Sequence, residues 1–302
     1  MYFTQFKSPP DDISIAFFHI FVKVILMKVK KTLIDEISAY DAVVITGASS
    51  GIGEEFASWV LEASRRSRSH TVVYALSRTR PIFDCEAFKW IECDLTDTRA
   101  LESAVSAIKS DIRLSREGAP KILLINNSGF GAYGQFPSPS IGRNIDMINL
   151  NAAALTRLCA DFLPEIKAGR GAIINISSTA SFQACPQLSV YAATKAYVRS
   201  FSLSLSYELG KYGAKCLCVC PGPTKSMFFK AAGFDEAPMP EWFGHKPRHV
   251  VEASFRALAK GKGIVVVGLL NKLQSVLVRF VPEFILLKIS GAILSKVRRL
   301  DK

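Results

Sequence analysis

Tyr191 and Lys195 stand four residues apart in Ser189-Val-Tyr-Ala-Ala-Thr-Lys-Ala-Tyr197. On a helix, residues i and i+4 share a face, so a phenol and an ammonium lie side by side. A free tyrosine titrates near pH ~10, and a neighbouring cation favours the phenolate and lowers that value. Such a pair can give a proton to a carbonyl oxygen, or take one from an alcohol, while hydride moves elsewhere. Ser178 and Asn151, upstream, supply further hydrogen-bonding groups. Each also has a plain reading when taken alone. Tyr-x-x-x-Lys can be a surface pair, Ser178 the end of a strand, and Asn151 a cap or bend in a helix.

The elements that must position these groups alternate along the chain. Apolar runs at Ala42–Thr46, Thr71–Leu76, Lys89–Cys93, Lys121–Asn126, Ala172–Ser177, Ala214–Cys220 and Ile264–Val267 read as strands. Helical spacing predicts helices through about Ser64, over Thr98–Lys109, over a long stretch from Ile141 to Lys167, and from Leu188 to Lys211. Continuous apolar strands alternating with helices imply a parallel sheet covered on both faces. Right-handed crossovers make it doubly wound, so the expected class is α/β, a Rossmann-type sheet of seven parallel strands. The predicted organisation is an extension over 1–40, a catalytic domain over 41–268 with a lid at 222–248, and C-terminal helices over 269–302.

Between the first strand and first helix lies Thr46-Gly-Ala-Ser-Ser-Gly-Ile-Gly53. Gly47, Gly51 and Gly53 permit a tight turn and let a pyrophosphate approach the helix N-terminus. The second strand bears on which nucleotide binds. NAD sites usually place a carboxylate near its end; this chain has Leu76-Ser77-Arg78 and then Arg80. A guanidinium suits a 2′-phosphate, so NADP (NADPH) is expected ahead of NAD. The competing reading is that these arginines form a solvated loop.

Composition narrows the remaining classes. Of 302 residues, 49% are hydrophobic and 21% charged, enough for a large core and against disorder. The net charge of +12 would suit an anionic partner. No aromatic–basic interleaving or nucleic-acid motif accompanies it, so nucleic acid is not expected. Seven cysteines include no Cys-x-x-Cys pair. Cys216, Cys218 and Cys220 alternate along a strand and read as core residues in a reducing, cytoplasmic compartment. His245 and His249 flank Pro247, which argues against a shared helical face, and no metal is expected.

Seven motifs in order resemble the short-chain dehydrogenases/reductases, from about Ala42 to Val267. They are the glycine turn, Cys93-Asp-Leu95, Asn126-Asn-Ser-Gly129, Asn149-Leu-Asn151, Ile176-Ser-Ser178, Tyr191-x-x-x-Lys195 and Pro221-Gly-Pro-Thr224. Phe130-Gly with Pro221-Gly-Pro-Thr resembles a bacterial branch of oxidoreductases within that family. Ser128 stands where alanine is common and Ser226 where threonine is frequent. The resemblance implies an oxidoreductase interconverting a ketone or aldehyde and an alcohol. It implies Tyr191 as proton donor and acceptor, with Lys195 holding the nicotinamide ribose and lowering the tyrosine pKa. Ser178 would bond the substrate oxygen, and Asn151 would support a water leading from Lys195 to solvent. Gly47, Ser49, Ser50, Gly51, Ile52 and Gly53 would cradle phosphate, with Ser77 and Arg78 near the ribose. Asp94 would meet the adenine with Leu95 beside it. Asn127 and Gly129 would line the cleft, and Thr224 would contact the nicotinamide end. A homodimer or homotetramer sharing the Asn151 and Tyr191 helices is also implied. A catalytically inactive NADP-binding scaffold on the same fold is the alternative.

Met227, Phe228, Phe229, Phe234, Met239, Trp242 and Phe243 crowd the predicted lid. They suggest an apolar substrate, or else they pack the lid onto the body. Leu273, Val276, Leu277, Phe280 and Val281, then Ile285, Leu286, Ile289, Ile293 and Val297, recur at helical spacing among basic residues. That pattern fits peripheral contact with a membrane, an oligomer contact, or plain packing. Ile13–Val29 is apolar but interrupted, too short for a span of about 20 residues, and has no small-residue cleavage site. An interfacial anchor, a packed extension and a natural start at Met27 all remain open there.

Overall fold

The computed structural model describes residues 33–115, 117–225 and 244–299, the last six of these as backbone only. The predicted lid aromatics and Ile13–Val29 lie outside the described residues. The strands are β1 (Ala42–Thr46), β2 (Val72–Ser77), β3 (Phe88–Glu92), β4 (Ile122–Asn126), β5 (Ala172–Ile176), β6 (Lys215–Cys220) and β7 (Ile264–Val266). All pair in parallel, in the order β3-β2-β1-β4-β5-β6-β7. The order reverses between β1 and β4, the place where such sheets open a ligand crevice beyond the strands' carboxyl ends.

Side-chain alternation divides the sheet between two cores, as a period of two requires. Val43, Ile45, Leu123, Ile125, Leu217 and Val219 face one layer. It is covered by Phe56 and Val60 of α1 (Gly51–Ser67) and by Val251 and Phe255 of α6 (Pro247–Ala259). Val44, Leu76, Ile122, Leu124, Ile173 and Cys216 face the other. That side is covered by Leu101 and Ile108 of α2 (Thr98–Leu114), Leu158 and Phe162 of α4 (Leu155–Ala168), and Val198 and Leu205 of α5 (Ser189–Gly210). Leu33, Ile37 and Tyr40 also join the first layer, so packing begins ahead of residue 41.

The stretch expected as one long helix is not uniform. It starts as α3 (Ile141–Ile148), capped where the Ser140 hydroxyl accepts from Arg143 N. It then widens into a π-helical segment, Asn149–Ala154, before continuing as α4. One turn of this kind inserts a residue and re-aims a side chain, commonly at a functional position. The side chain in its middle is Asn151. Beyond β7 the chain forms α7 (Leu269–Leu277) and α8 (Glu283–Arg299).

Candidate active site

The crevice is built from strand ends. Thr46, the last residue of β1, is buried, and its Oγ1 accepts from Asn127 N and Ser128 N, each at 2.9 Å. Asn127 returns the link: its Nδ2 donates to Thr46 O at 3.0 Å and Gly47 O at 3.2 Å. These four bonds lock the glycine turn against the loop after β4. Gly47 and Gly51 have φ of +70° and +62°, conformations that a side chain makes strained. A Cβ on Gly53 would lie 2.1 Å from Gly47 O, a backbone atom. Ser50 precedes α1 in extended conformation and makes no side-chain cap, so the first-turn N–H groups are left without that partner. Ser49, Ser50 and Ile52 complete the turn. A backbone cradle with open amides and no room for side chains fits a pyrophosphate.

Beside it, Ser77 sends its hydroxyl to Thr79 O at 2.7 Å, into its own loop. Arg78 reaches outward, its Nη1 3.9 Å from Asp94 Oδ2, with three-quarters of the side chain exposed. Arg80 lies over the Trp90 ring at 5.9 Å. Asp94 Oδ1 accepts from Thr96 N at 2.9 Å and from Thr96 Oγ1 at 2.7 Å. Those bonds, with the Arg78 charge, hold its carboxyl below the ordinary range. Leu95 is buried in the second core layer.

The residues that the sequence pairs, Tyr191 and Lys195, lie on α5. Tyr191 is buried against Met147 and Ala132, and the Ser178 side chain hydrogen-bonds it. Ser178 also heads the turn Thr179–Phe182, accepting from Ala180 N at 3.1 Å. Lys195 is buried too; its Nζ lies 5.8 Å from the Tyr191 ring centre and donates to Ile176 O at 3.0 Å. Asn151 is held on three sides. Its Oδ1 accepts from Phe130 N at 3.1 Å, and its Nδ2 donates to Phe130 O at 2.9 Å and Thr194 Oγ1 at 3.1 Å. A Cβ on Gly129 would fall 2.8 Å from Asn151 Oδ1 and 3.3 Å from Lys195 Nζ, so this glycine keeps the space between them. Thr224 turns its hydroxyl to Gly222 O at 3.0 Å and bridges to His245.

Titration here departs from the simple picture of a cation lowering a phenol. Burial pushes the Tyr191 hydroxyl up to about 12, against the lowering by its bond to Ser178. Burial likewise holds Lys195 down at about 8. Both shifts come first from desolvation, which penalises whichever form carries charge. The pair therefore favours the neutral phenol, the form that donates a proton.

Sequence reasoning missed several organising residues. Thr46 was visible only as the head of the glycine motif, yet it ties two loops together. Thr194 is three residues after Tyr191, and that spacing alone puts it on the Tyr191 face of α5. Ser177 Oγ donates to Lys195 O at 2.7 Å, anchoring that helix to β5. Among the described residues no group of His, Cys, Asp and Glu could hold a metal ion.

A parallel sheet with a glycine cradle at its switch point, and a half-buried Ser178 hydrogen-bonded to Tyr191 beside buried Lys195, define a nucleotide-dependent oxidoreductase fold. The short chain dehydrogenase family model matches residues 41–237, and the chain belongs to that family. It is 30% identical over 187 residues to a 3-ketodihydrosphingosine reductase of Bacteroides thetaiotaomicron, covering 62% of this chain and 65% of that one. It is 30% identical over 196 residues to a serine 3-dehydrogenase of Agrobacterium fabrum, covering 62% and 73%. Its structure resembles a short-chain dehydrogenase of Sphingobium yanoikuyae solved with NADPH, at 26% identity and TM-score 0.62, over 80% of this chain and 96% of that one. Other solved proteins of this fold carry NADP or NAD+.

Proposed function

We propose that the protein is an NADP-dependent oxidoreductase that interconverts a ketone or aldehyde and an alcohol, acting on an apolar substrate. The observation that carries the reading is the hydrogen bond from half-buried Ser178 to buried Tyr191, on the same helix as buried Lys195. Gly47, Ser49, Ser50, Gly51, Ile52 and Gly53 would hold the pyrophosphate, with Ser77, Arg78, Asp94 and Leu95 around the adenosine. Asn127, Gly129 and Thr224 would line the nicotinamide end. When bound, the cofactor supplies the hydride.

The chain's own residues handle the proton. Tyr191, kept neutral by burial, donates its hydroxyl proton to the substrate oxygen as negative charge develops there. Ser178 offers a second donor to the same oxygen, where a preorganised hydroxyl helps most. Lys195 is the charge neighbour that stabilises the tyrosine once its proton has left. Asn151 fixes the Phe130 segment and Thr194, and so orients the helix that carries both groups. In the opposite direction the same groups accept the proton.

Cofactor preference rests on the Arg78 guanidinium, which is free to turn outward, and on the absence of a carboxylate at the end of β2. The NADPH held by the Sphingobium neighbour agrees with it. For substrate, the names of the relatives span 3-ketodihydrosphingosine and serine. The apolar reading therefore rests on this chain's own lid composition and C-terminal helices. We also take the protein to be cytoplasmic, a homodimer or homotetramer through α4 and α5, and in peripheral contact with a membrane through 269–302. Exposed Tyr197, Leu203 and Tyr207 on α5 support the oligomer.

Tyr191→Phe tests the function. The ring still packs, but no proton moves, so turnover of a carbonyl panel, followed by NADPH absorbance, should fall by about 10²–10⁴-fold. NADPH affinity should hold within a few-fold. A phenylalanine variant with unchanged kcat removes Tyr191 from the chemistry. Wild-type protein that binds NADPH but reduces nothing on the panel favours the inactive scaffold.

A further inference from the structure

The two C-terminal helices are built inside out. In α7, the residues turned toward the body are Asn271 and Ser275, with Val278 following. Asn271 Nδ2 donates to Val267 O at 2.7 Å and lies 3.1 Å from His245 Nε2. The residues turned away are Leu269, Leu270, Leu273, Val276, Leu277 and Phe280, with Leu269 83% and Phe280 79% exposed. Their spacing makes one continuous stripe on the outer face. Helix α8 also leaves most of its apolar residues outward, with Leu286 half-buried. Ser290 is its buried contact, its hydroxyl meeting Leu286 O and Ala184 O. Phe284, Ile285, Leu287, Ile289 and Ile293 are exposed. A helix that packs on a soluble body normally turns its apolar stripe inward.

Both helices border the candidate active site. Asn271 closes against Gly222, where a Cβ would come within 2.3 Å of its Nδ2, and Gly222 belongs to the segment that carries Thr224. Helix α8 rests on Ala184 and Pro186, in the loop that leads from Ser178 to Tyr191. The charges select the partner. Lys272 and Arg279 are seven residues apart, so they fall together along one flank of the α7 stripe, and Lys288 is exposed on α8. Across residues 269–302 the sequence holds seven basic residues (Lys272, Arg279, Lys288, Lys296, Arg298, Arg299, Lys302) against Glu283 and Asp301, a net of +5. Protein interfaces deplete lysine. The α7 stripe flanked by Lys272 and Arg279, with the exposed apolar residues and Lys288 of α8 beside it, matches the boundary between acyl chains and anionic headgroups.

We propose that the outer face of α7 and α8 docks on an anionic lipid surface, with the mouth of the active site held beside the bilayer. An apolar carbonyl substrate then passes from lipid to the crevice without crossing water. The docking stands independently of the oxidoreductase reading, whereas the delivery rests on it.

The test floats full-length protein on phosphatidylcholine vesicles with and without phosphatidylglycerol, at low and high salt. Binding is expected with the anionic vesicles and should weaken at high salt. It should also be lost in the double variant Leu273→Asp, Leu277→Asp. Both positions are exposed, so circular dichroism and NADPH affinity should be unchanged in that variant. A long-chain ketone dissolved in vesicles should then be reduced several-fold more slowly by the double variant, while a water-soluble ketone is reduced equally. Floating protein with equal rates on both ketones keeps the docking and overturns the delivery. Protein that fails to float at low salt overturns the docking. Sedimentation then identifies the real cover: a dimer broken by Leu273→Asp means a second copy, and a monomer means the chain's own apolar segments.

Discussion

Lys195→Met should change how stability depends on pH, by an amount set by burial. The Lys195 ammonium is held down at about 8 from an ordinary 10.5, with desolvation as the first cause. A lysine with a depressed folded-state pKa binds fewer protons in the native state than in the unfolded chain. Its burden is therefore fully present below the folded value and is relieved as pH rises from about 8 toward 10.5. Each tenfold loss of proton affinity is worth about 1.36 kcal/mol, so at about pH 7 the burden is roughly 3 kcal/mol; by about pH 10 it falls to about 1 kcal/mol. Methionine keeps the stem and drops the charge. It also loses the bond to Ile176 O, a loss of about 1–3 kcal/mol that does not vary with pH. The stability of wild type relative to the variant should thus rise by about 2 kcal/mol between pH 7 and pH 10. Tyr191 stays neutral in both proteins across most of this window because its own value is raised to about 12. Urea unfolding of the cofactor-free protein at a series of pH values reads the difference directly. A flat difference would mean that the Nζ is solvated and that burial does not set its charge.

Other substitutions probe separate parts of the site. Gly53→Ala should push its Cβ into Gly47 O, shift the cradle, and weaken NADPH by about 5- to 150-fold for a loss of about 1–3 kcal/mol; fluorescence titration of NADPH checks it. Arg78→Ala should weaken NADPH by about 10- to 100-fold, the worth of a charge-assisted bond, and leave NADH nearly unchanged; equal losses would take Arg78 out of the discrimination. Phe162→Ala, fully buried between β4, β5 and α4, should cost about 3–5 kcal/mol of stability, read by thermal or urea unfolding.

Much of the fold was legible because it rests on strong local patterns. The seven apolar runs became seven strands with ends shifted by one residue or none; the inner strands β1, β4 and β5 are buried throughout and leave no polar alternation, while β3 and β7 at the sheet edges are only partly buried. The glycine motif placed the turn, because Gly47 and Gly51 adopt positive φ that few other residues tolerate. What sequence could not show was set by tertiary contact. The π-helical segment at Asn149–Ala154 has no signature in Asn-Leu-Asn-Ala-Ala-Ala, and it forms where Asn151 meets Phe130 and Thr194 from two other elements. The direction of the Tyr191 shift was also hidden. Spacing reports that a lysine is near, but only burial decides whether charge attraction or desolvation wins. Helical spacing found the stripes of α7 and α8 without saying which face turns outward.

That last ambiguity has a physical resolution in the body they pack on. The surface under α7 and α8 is polar backbone at the end of the sheet: Val267 O accepts from Asn271, and Ala184 O from Ser290. A leucine facing those carbonyls would leave them unpaired, at about 1–3 kcal/mol each. Asn271 and Ser290 satisfy them, and in α7 the helical period then places Leu269, Leu273 and Leu277 on the opposite side. These two bonds help fix which face of each helix turns inward. Under the proposed function, an apolar substrate would meet the outer face of these helices rather than the carbonyls on their inner side. The same two helices thus serve both ends: one face meets the body, and the other presents apolar side chains.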